Sequence, residues 1–173
     1  MVQKGNAGLN PRAERAKPLR GYGSSPIAPW IVKAVEPTEG KILRVMPVIL
    51  TRDQEGVEIT IVSLELYDNG FLINYRLRDP NQVASMLGRR ATLIPILTFD
   101  VQNDLGQTYY GFPSAATVGP PGDWRGIARL GPAIEQEVQE LRVRVTEIEW
   151  RSWQPEQKNV TQQGLWEFQI RLE

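Results

Sequence analysis

An all-β antiparallel sandwich is the fold class that the sequence predicts, and three observations indicate it. Several stretches alternate apolar and polar residues with the period of two that is typical of half-buried strands. Glycine and proline number 15 and 13 among 173 residues, a content that favours turns over long helices. Turn signals separate about seven such short stretches, which is the spacing expected for a β-sandwich.

The first 40 residues are expected to form an extended arm, and the sandwich is assigned to residues 41–173. Ten glycines and prolines interrupt the arm, too many for a packed element. Residues 1–35 carry six basic side chains and one acidic one, whereas residues 36–173 carry 14 basic and 19 acidic ones. The arm and the body are therefore oppositely charged.

An apolar cluster inside this basic arm is predicted to be an anchor. In the simpler interpretation the cluster packs against the body of its own chain, and in the alternative it docks into a neighbouring protein. Electrostatic complementarity would guide such docking. The predicted anchor residues are Ile27, Trp30, Ile31 and Val32, and the basic residues predicted to assist them are Arg12, Arg15, Lys17 and Arg20.

The first strands are predicted from residues 44–78. Residues 44–50 are apolar on both faces, and Pro47 indicates a sheet edge or a bulge. Residues 57–77 alternate, but the apolar positions change parity between Ile61 and Leu64, which predicts a β-bulge near Val62-Ser63 because a strand cannot switch faces without an inserted residue. Asp68-Asn69-Gly70 supplies turn residues, so this stretch is predicted to be a two-stranded hairpin.

The later elements follow from the same patterns. Residues 134–141 also fit helical spacing, yet strict alternation from Leu141 onward favours a strand. The predicted elements are a short helical turn within 79–90, a buried strand at 91–101, a turn at 103–106, a short strand at 108–112, a loop at 117–126, a strand at 140–150 and a last strand at 165–172 with one buried face.

The order of these segments resembles a group of uncharacterised bacterial proteins with an immunoglobulin-like β-sandwich. The resemblance covers about residues 45–150. It rests on a strand pair with an acidic turn, followed by Asp104 to Tyr109, Trp124-Arg125-Gly126, Pro132 and Leu141 to Val145. It implies an immunoglobulin-like fold and brings no catalytic residues, since a fold alone does not assign an activity.

The absence of cysteine and histidine excludes several chemistries. The usual zinc, iron–sulfur, haem and copper sites would lack ligands, and serine–histidine or cysteine–histidine catalysis is excluded within one chain. Asp100, Asn103 and Asp104 could offer oxygens to calcium, but their spacing lacks the alternation of a calcium loop. No pair of carboxylates stands out for glycoside hydrolysis. We therefore expect no enzyme, no cofactor and no metal.

Two functions remain open from the sequence. The first is a non-enzymatic structural or protein-interaction module that joins a larger assembly, or associates with itself, with help from the arm. The alternative is a ligand-binding module, with carbohydrate as the leading ligand, that uses loop aromatics: Trp124, Trp153, Tyr109 and Tyr110. The simpler interpretation of the two tryptophans is that they cover the ends of the sandwich.

The remaining expectations concern membranes, nucleic acid and location. No run of 18 apolar residues exists, so no transmembrane helix is predicted. The N-terminal arm also lacks the apolar stretch of a secretory signal, so we expect a cytoplasmic protein. The basic arm could contact phosphates, but its charges are sparse and interrupted, which makes nucleic acid a weaker candidate than protein.

Overall fold

The computed structural model describes residues 40–80, 93–111, 114–118, 122–152 and 159–173. These residues form an all-β structure. Its strands are β1 (Ile42–Gln54), β2 (Val57–Tyr67), β3 (Gly70–Arg78), β4 (Leu93–Asn103), β5 (Thr108–Gly111), β6 (Ser114–Val118), β7 (Asp123–Gly131), β8 (Glu140–Ser152) and β9 (Val160–Arg171).

All strands belong to one antiparallel sheet that curls into a nearly closed barrel. The strand order is β1-β2-β3-β7-β5-β4-β8-β9, and β6 pairs with both β4 and β7. The predicted two-layer sandwich is therefore wrong, as is the immunoglobulin-like fold that the resemblance implied. The physical reason is that β5 and β6 each bridge β4 and β7, so backbone hydrogen bonds continue around the corner where a sandwich would divide into two sheets.

The local predictions for the first three strands are confirmed. The β2–β3 ladder pairs Ile61 with Tyr75 and then Ser63 with Asn74, so Val62 is the inserted residue of the bulge. The hairpin turn is Asp68-Asn69, although neither residue has positive φ. Asp68 instead accepts a hydrogen bond at Oδ1 from Lys41 N at 2.9 Å. β1 lies at the end of the strand order, and its register shifts after Pro47 as expected for an edge strand.

The strands predicted at 91–101, 108–112, 140–150 and 165–172 are confirmed as β4, β5, β8 and β9. The loop predicted at 117–126 is wrong over part of its length, because β6 extends to residue 118 and β7 begins at residue 123. β7 alternates in the manner of the other strands, with Trp124, Ala128 and Leu130 buried. The helical turn predicted within 79–90 lies almost wholly outside the described residues.

Aromatic side chains from five strands fill the interior of the barrel. Trp124 and Trp150 pack edge to face with ring centroids 5.1 Å apart, and Phe71 and Tyr109 do the same at 5.1 Å. Burying each such ring stabilises the fold by a few kcal/mol, about 25 cal/mol per Å² of apolar area. The buried rings are Phe71, Tyr75, Tyr109, Trp124, Trp150, Trp166 and Phe168.

Side chains hold together the seam between the two end strands, β1 and β9. Arg52 Nε donates to Glu167 O at 3.0 Å, and Leu165 N donates to Gln54 Oε1 at 2.6 Å. Beneath the surface, Trp166 Nε1 donates to Val57 O at 3.0 Å and links β9 to β2. Among the described residues no backbone ladder joins β1 to β9, so these side-chain contacts bring the two sheet edges together.

Candidate binding groove

An open groove of about 630 Å³ lies on the outer face of β2, β3 and β7. We call it the arginine groove. Its principal side chains are Val62, Asn74, Arg76, Arg125, Ile127 and Arg129. The inward side chains of the same three strands belong to the core. Backbone ladders join β2 to β3 and β3 to β7, so the groove lies on a continuously hydrogen-bonded part of the barrel.

Two branched aliphatic side chains form the apolar centre of the groove. Ile127 is outward because it alternates with the buried Gly126 and Ala128, and it remains 41% exposed. Val62 is outward because it follows the buried Ile61 in the alternation of β2, and it is 42% exposed. The bulge leaves Val62 without a partner in the β2–β3 ladder, and it turns the next residue, Ser63, to the same side, where Ser63 pairs with Asn74. Val62 therefore forms the apolar centre on the β2 side.

Three arginines surround this apolar centre. Arg76 and Arg125 are direct cross-strand partners in the β3–β7 ladder, and Arg129 lies four residues further along β7. Like charges placed directly opposite each other destabilise a sheet. Arg129 forms no ion pair with any carboxylate of the described residues. The groove is thus a concentration of positive charge on a body whose sequence is acidic overall.

Asp123 compensates one end of the groove. Arg76 forms a bidentate pair with its carboxylate, through Nε at 2.6 Å and through Nη2. This hydrogen bonding lowers the pKa of Asp123, and the nearby charge of Arg125 lowers it further. The Asp123 carboxylate therefore stays ionised at neutral pH and fixes the Arg76 side chain in one orientation.

Hydrogen bonds also occupy the other polar groups beside the groove. Asn74 Nδ2 donates to Ser63 Oγ at 3.0 Å and to Glu65 Oε1 at 2.8 Å. Tyr67 OH donates to Glu65 Oε2 at 3.0 Å. The Glu65 carboxylate beside Asn74 is therefore held on both oxygens by neutral donors.

Tyr75 supports the groove from inside the barrel, beneath Gly126. Its OH lies 3.0 Å from Ser114 O and 3.1 Å from Ser114 Oγ, and Ser114 Oγ donates to Ile127 O at 2.6 Å. Burial raises the pKa of Tyr75 to about 12. This hydrogen-bonded chain connects the interior ring to the backbone of Ile127 and so fixes the height of the apolar centre.

Replacing Tyr75 with phenylalanine is expected to lower the free energy of unfolding by about 1–3 kcal/mol at pH 7, because Ser114 loses a buried partner. The difference in the free energy of unfolding between the wild type and this variant should become smaller at alkaline pH. The unfolded wild type releases the tyrosine proton from its usual pKa of 10.0, while the folded protein keeps it up to about 12. Stability present below pH 10 is thus lost on the way to pH 12, by about 3 kcal/mol, at 1.36 kcal/mol per pKa unit.

Urea unfolding of both proteins at intervals between pH 7 and pH 12 measures this effect. Tyr67 and Tyr109 also have raised pKa values, so the phenylalanine variant will keep part of the alkaline sensitivity. A difference in stability that stays constant over the whole range would contradict the role assigned to the Tyr75 hydroxyl.

Comparisons with known proteins support the fold alone. No family model matches this chain. No curated protein matches it either. Among solved structures, it is similar to the crystal structure of the conserved domain protein from Bacillus anthracis, with 15% sequence identity and a TM-score of 0.55. The match covers 75% of this chain and 49% of that one, so this chain spans about half the length of the other protein.

The aromatic residues of the carbohydrate alternative do not form one exposed surface. Trp124 is 1% exposed and lies in β7, so the expectation that it occupies a loop and could stack on a sugar is wrong. Tyr109 is also 1% exposed, because it points inward from β5. Tyr110 alternates with it and is 45% exposed. Trp153 lies outside the described residues.

The residues predicted to bind a partner through the arm all lie outside the described residues as well: Ile27, Trp30, Ile31, Val32, Arg12, Arg15, Lys17 and Arg20. The candidate calcium oxygens have other partners. Asn103 Oδ1 accepts from Gln107 N at 2.8 Å, and the Asp100 carboxylate accepts from Arg144 Nη2 at 2.5 Å. Within the described ranges, no group of three or more acidic residues could hold a metal ion.

Over the part of the chain that the structure describes, no helix has the length and apolar character needed to cross a membrane.

Sequence reasoning did not find the groove. The sequence patterns place Arg125 in a predicted loop and assign no element to Ile127 and Arg129. The sequence signal for an outward strand face at these positions is their alternation with Trp124, Gly126, Ala128 and Leu130. Glycine and alanine weaken that signal, because they add little hydrophobicity to a buried face.

Proposed function

We propose that this chain is a non-enzymatic protein-interaction module that binds an acidic segment of a partner protein in the arginine groove. The observation that carries the proposal is the arrangement of Arg76, Arg125 and Arg129 around the exposed Val62 and Ile127. Guanidinium groups bind carboxylates with good geometry, and arginine is enriched in protein interfaces. Exposed aliphatic side chains between them add apolar area that water does not solvate well.

A protein segment fits this surface better than nucleic acid. A long polyanion would extend beyond the groove onto a body in which residues 36–173 carry 19 acidic and 14 basic side chains. Repulsion there would oppose binding, because nucleic-acid affinity comes largely from phosphate neutralisation. A short peptide would meet only the arginines and the aliphatic centre. The predicted N-terminal arm would be a second, separate contact with a partner.

Selection from a phage-displayed library of random dodecapeptides on the full chain tests this function. We expect the selected peptides to be enriched in aspartate and glutamate. Synthesised with fluorescein labels, they should lose about tenfold or more in affinity for the variant Arg125→Glu/Arg129→Glu, because a hydrogen bond to a charged group contributes about 1.5–3 kcal/mol. Fluorescence anisotropy at fixed salt concentration measures the dissociation constants.

The matched control is Arg142→Glu/Arg171→Glu, which makes the same change of net charge on exposed side chains of β8 and β9. These residues are not among those that line the groove. The control variant should retain the wild-type affinity to within about threefold, since charges at a distance mainly alter the association rate. Equal losses in both variants, or peptides without acidic enrichment, would refute the proposal.

A further inference from the structure

The spacing of the groove side chains specifies the peptide further, on the assumption that the proposed function holds. Along β7, Arg125, Ile127 and Arg129 are outward residues at successive alternate positions, while the residues between them are buried. Each pair of alternate positions spans roughly 6.8 Å in an antiparallel strand, so the two arginines lie about 13–14 Å apart along the strand. The apolar residue lies midway between them.

Residues on the neighbouring strands lie beside each of these three β7 positions and support its chemical character. At one end, Arg76 is paired across the ladder with Arg125, so two guanidinium groups lie beside the single carboxylate of Asp123 and one positive charge remains in excess. In the middle, Asn74 is paired with Ile127, and Val62 projects from the bulge next to Asn74's partner Ser63. At the far end, Arg129 is paired with Leu72, whose side chain is 4% exposed, so its direct partner on β3 offers no polar group.

We infer that the groove binds an extended peptide with an acidic residue, any residue, an aliphatic residue, any residue and a second acidic residue in that order. An extended chain directs alternate side chains to one side with the same rise per residue as β7. Its first, third and fifth side chains would therefore meet the cation, the aliphatic centre and the second cation together. A helix would not, since its side chains at comparable separation point in different directions.

Defined nonapeptides test this order on the full chain. The reference peptide has glutamate at its third and seventh positions, valine at its fifth, and serine or glycine elsewhere. A spacing variant has the same composition, with the two glutamates placed next to each other. A further variant has serine in place of valine. We expect each variant to bind about tenfold more weakly than the reference, because each loses one charge-assisted contact or one buried aliphatic group.

A charge exchange identifies the register. The variant Arg129→Glu should lose about tenfold in affinity for the reference peptide. A peptide with lysine in place of one glutamate should recover that loss, and the lysine should be effective at only one of the two positions. Arg125→Glu should be rescued by lysine at the other position. Which end rescues Arg129→Glu also reports the direction of the peptide along β7.

The outcomes separate the two proposals. Equal affinity of the reference and spacing peptides, each weakened by Arg125→Glu/Arg129→Glu, would overturn the spacing and leave the acidic partner in place. Rescue by lysine at both positions alike would also overturn the register, since it would indicate a general attraction between charges. No binding by any acidic peptide would overturn both the spacing and the proposed function.

Discussion

Replacing Trp166 with alanine is expected to lower the free energy of unfolding by about 4 kcal/mol, the middle of the range for removing a buried tryptophan ring. Trp166 is 1% exposed and lies in β9, one of the two end strands of the sheet. Its ring is part of the aromatic interior, and its Nε1 donates to Val57 O on β2. The substitution therefore removes packing and a cross-seam hydrogen bond together.

The expected loss of stability is large because the other contacts at the seam between β1 and β9 are weak. The other contacts between the end strands, such as Arg52 with Glu167 O, are made by exposed side chains. Such contacts with solvent-exposed partners contribute little individually, about 1 kcal/mol or less. Trp166 is thus the strongest single link that keeps β9 against β2. A domain with a total stability of about 5–15 kcal/mol would lose a large part of it.

Guanidinium unfolding followed by far-UV circular dichroism measures the loss, and Trp166→Phe is the control. Phenylalanine keeps most of the buried ring but leaves Val57 O without its donor, so its cost should be about 1–3 kcal/mol. Amide hydrogen exchange should also rise at the facing edges of β1 and β9 in the alanine variant before it rises elsewhere. A loss below about 1 kcal/mol in the alanine variant would show that Trp166 does not hold the seam.

Strands and bulges of this chain could be predicted because they depend on residues close together in the sequence. The change of parity between Ile61 and Leu64 requires an inserted residue whatever the strand pairs with, and Val62 is that residue. The inward positions of Trp166, Phe168 and Ile170 likewise follow from alternation alone. These features use only the period of two in side-chain direction.

The closure of the sheet could not be predicted in the same way. Whether strands form two layers or one curled sheet depends on which distant strands share backbone hydrogen bonds, and alternation is the same in both cases. In this chain β5 and β6 determine the closure, because their short ladders to β4 and β7 join the strands on either side into one sheet. Pro120 and Pro121 also favour a long loop, so the sequence does not predict that β7 begins at Asp123.

The groove depends on both kinds of information. The outward position of Val62 follows from its place after the buried Ile61, a local feature, but its proximity to Ile127 requires β3 to lie between β2 and β7. Arg76 and Arg125 are far apart in the sequence and become direct partners only through that ladder. Charge counts along the chain cannot reveal such a cluster, because the basic residues of the body are outnumbered by acidic ones.

Replacing Gly126 with alanine is expected to destabilise the barrel by about 3 kcal/mol, the upper part of the usual range for overpacking a core. A methyl group at this position would overlap the Tyr75 ring, including its Cζ and hydroxyl oxygen. Gly126 and Tyr75 are direct cross-strand partners, so the ring lies over the glycine. The ring cannot move aside at low cost, because its hydroxyl is hydrogen-bonded to Ser114 and the ring packs against Phe99 with centroids 5.2 Å apart.

A double-mutant cycle with Tyr75→Leu distinguishes this clash from other causes. If the overlap explains the loss, Gly126→Ala should cost less in the leucine background, with a coupling of about 1–3 kcal/mol. Gly131→Ala on the same strand is the control, since the nearest atom to its added methyl would be Asn69 O at 3.9 Å. Urea unfolding measures the free energies of the four proteins of the cycle and of the control. Equal costs of Gly126→Ala in both backgrounds would mean that Tyr75 is not what requires glycine there, and that the inner support of the groove has been assigned to the wrong side chain.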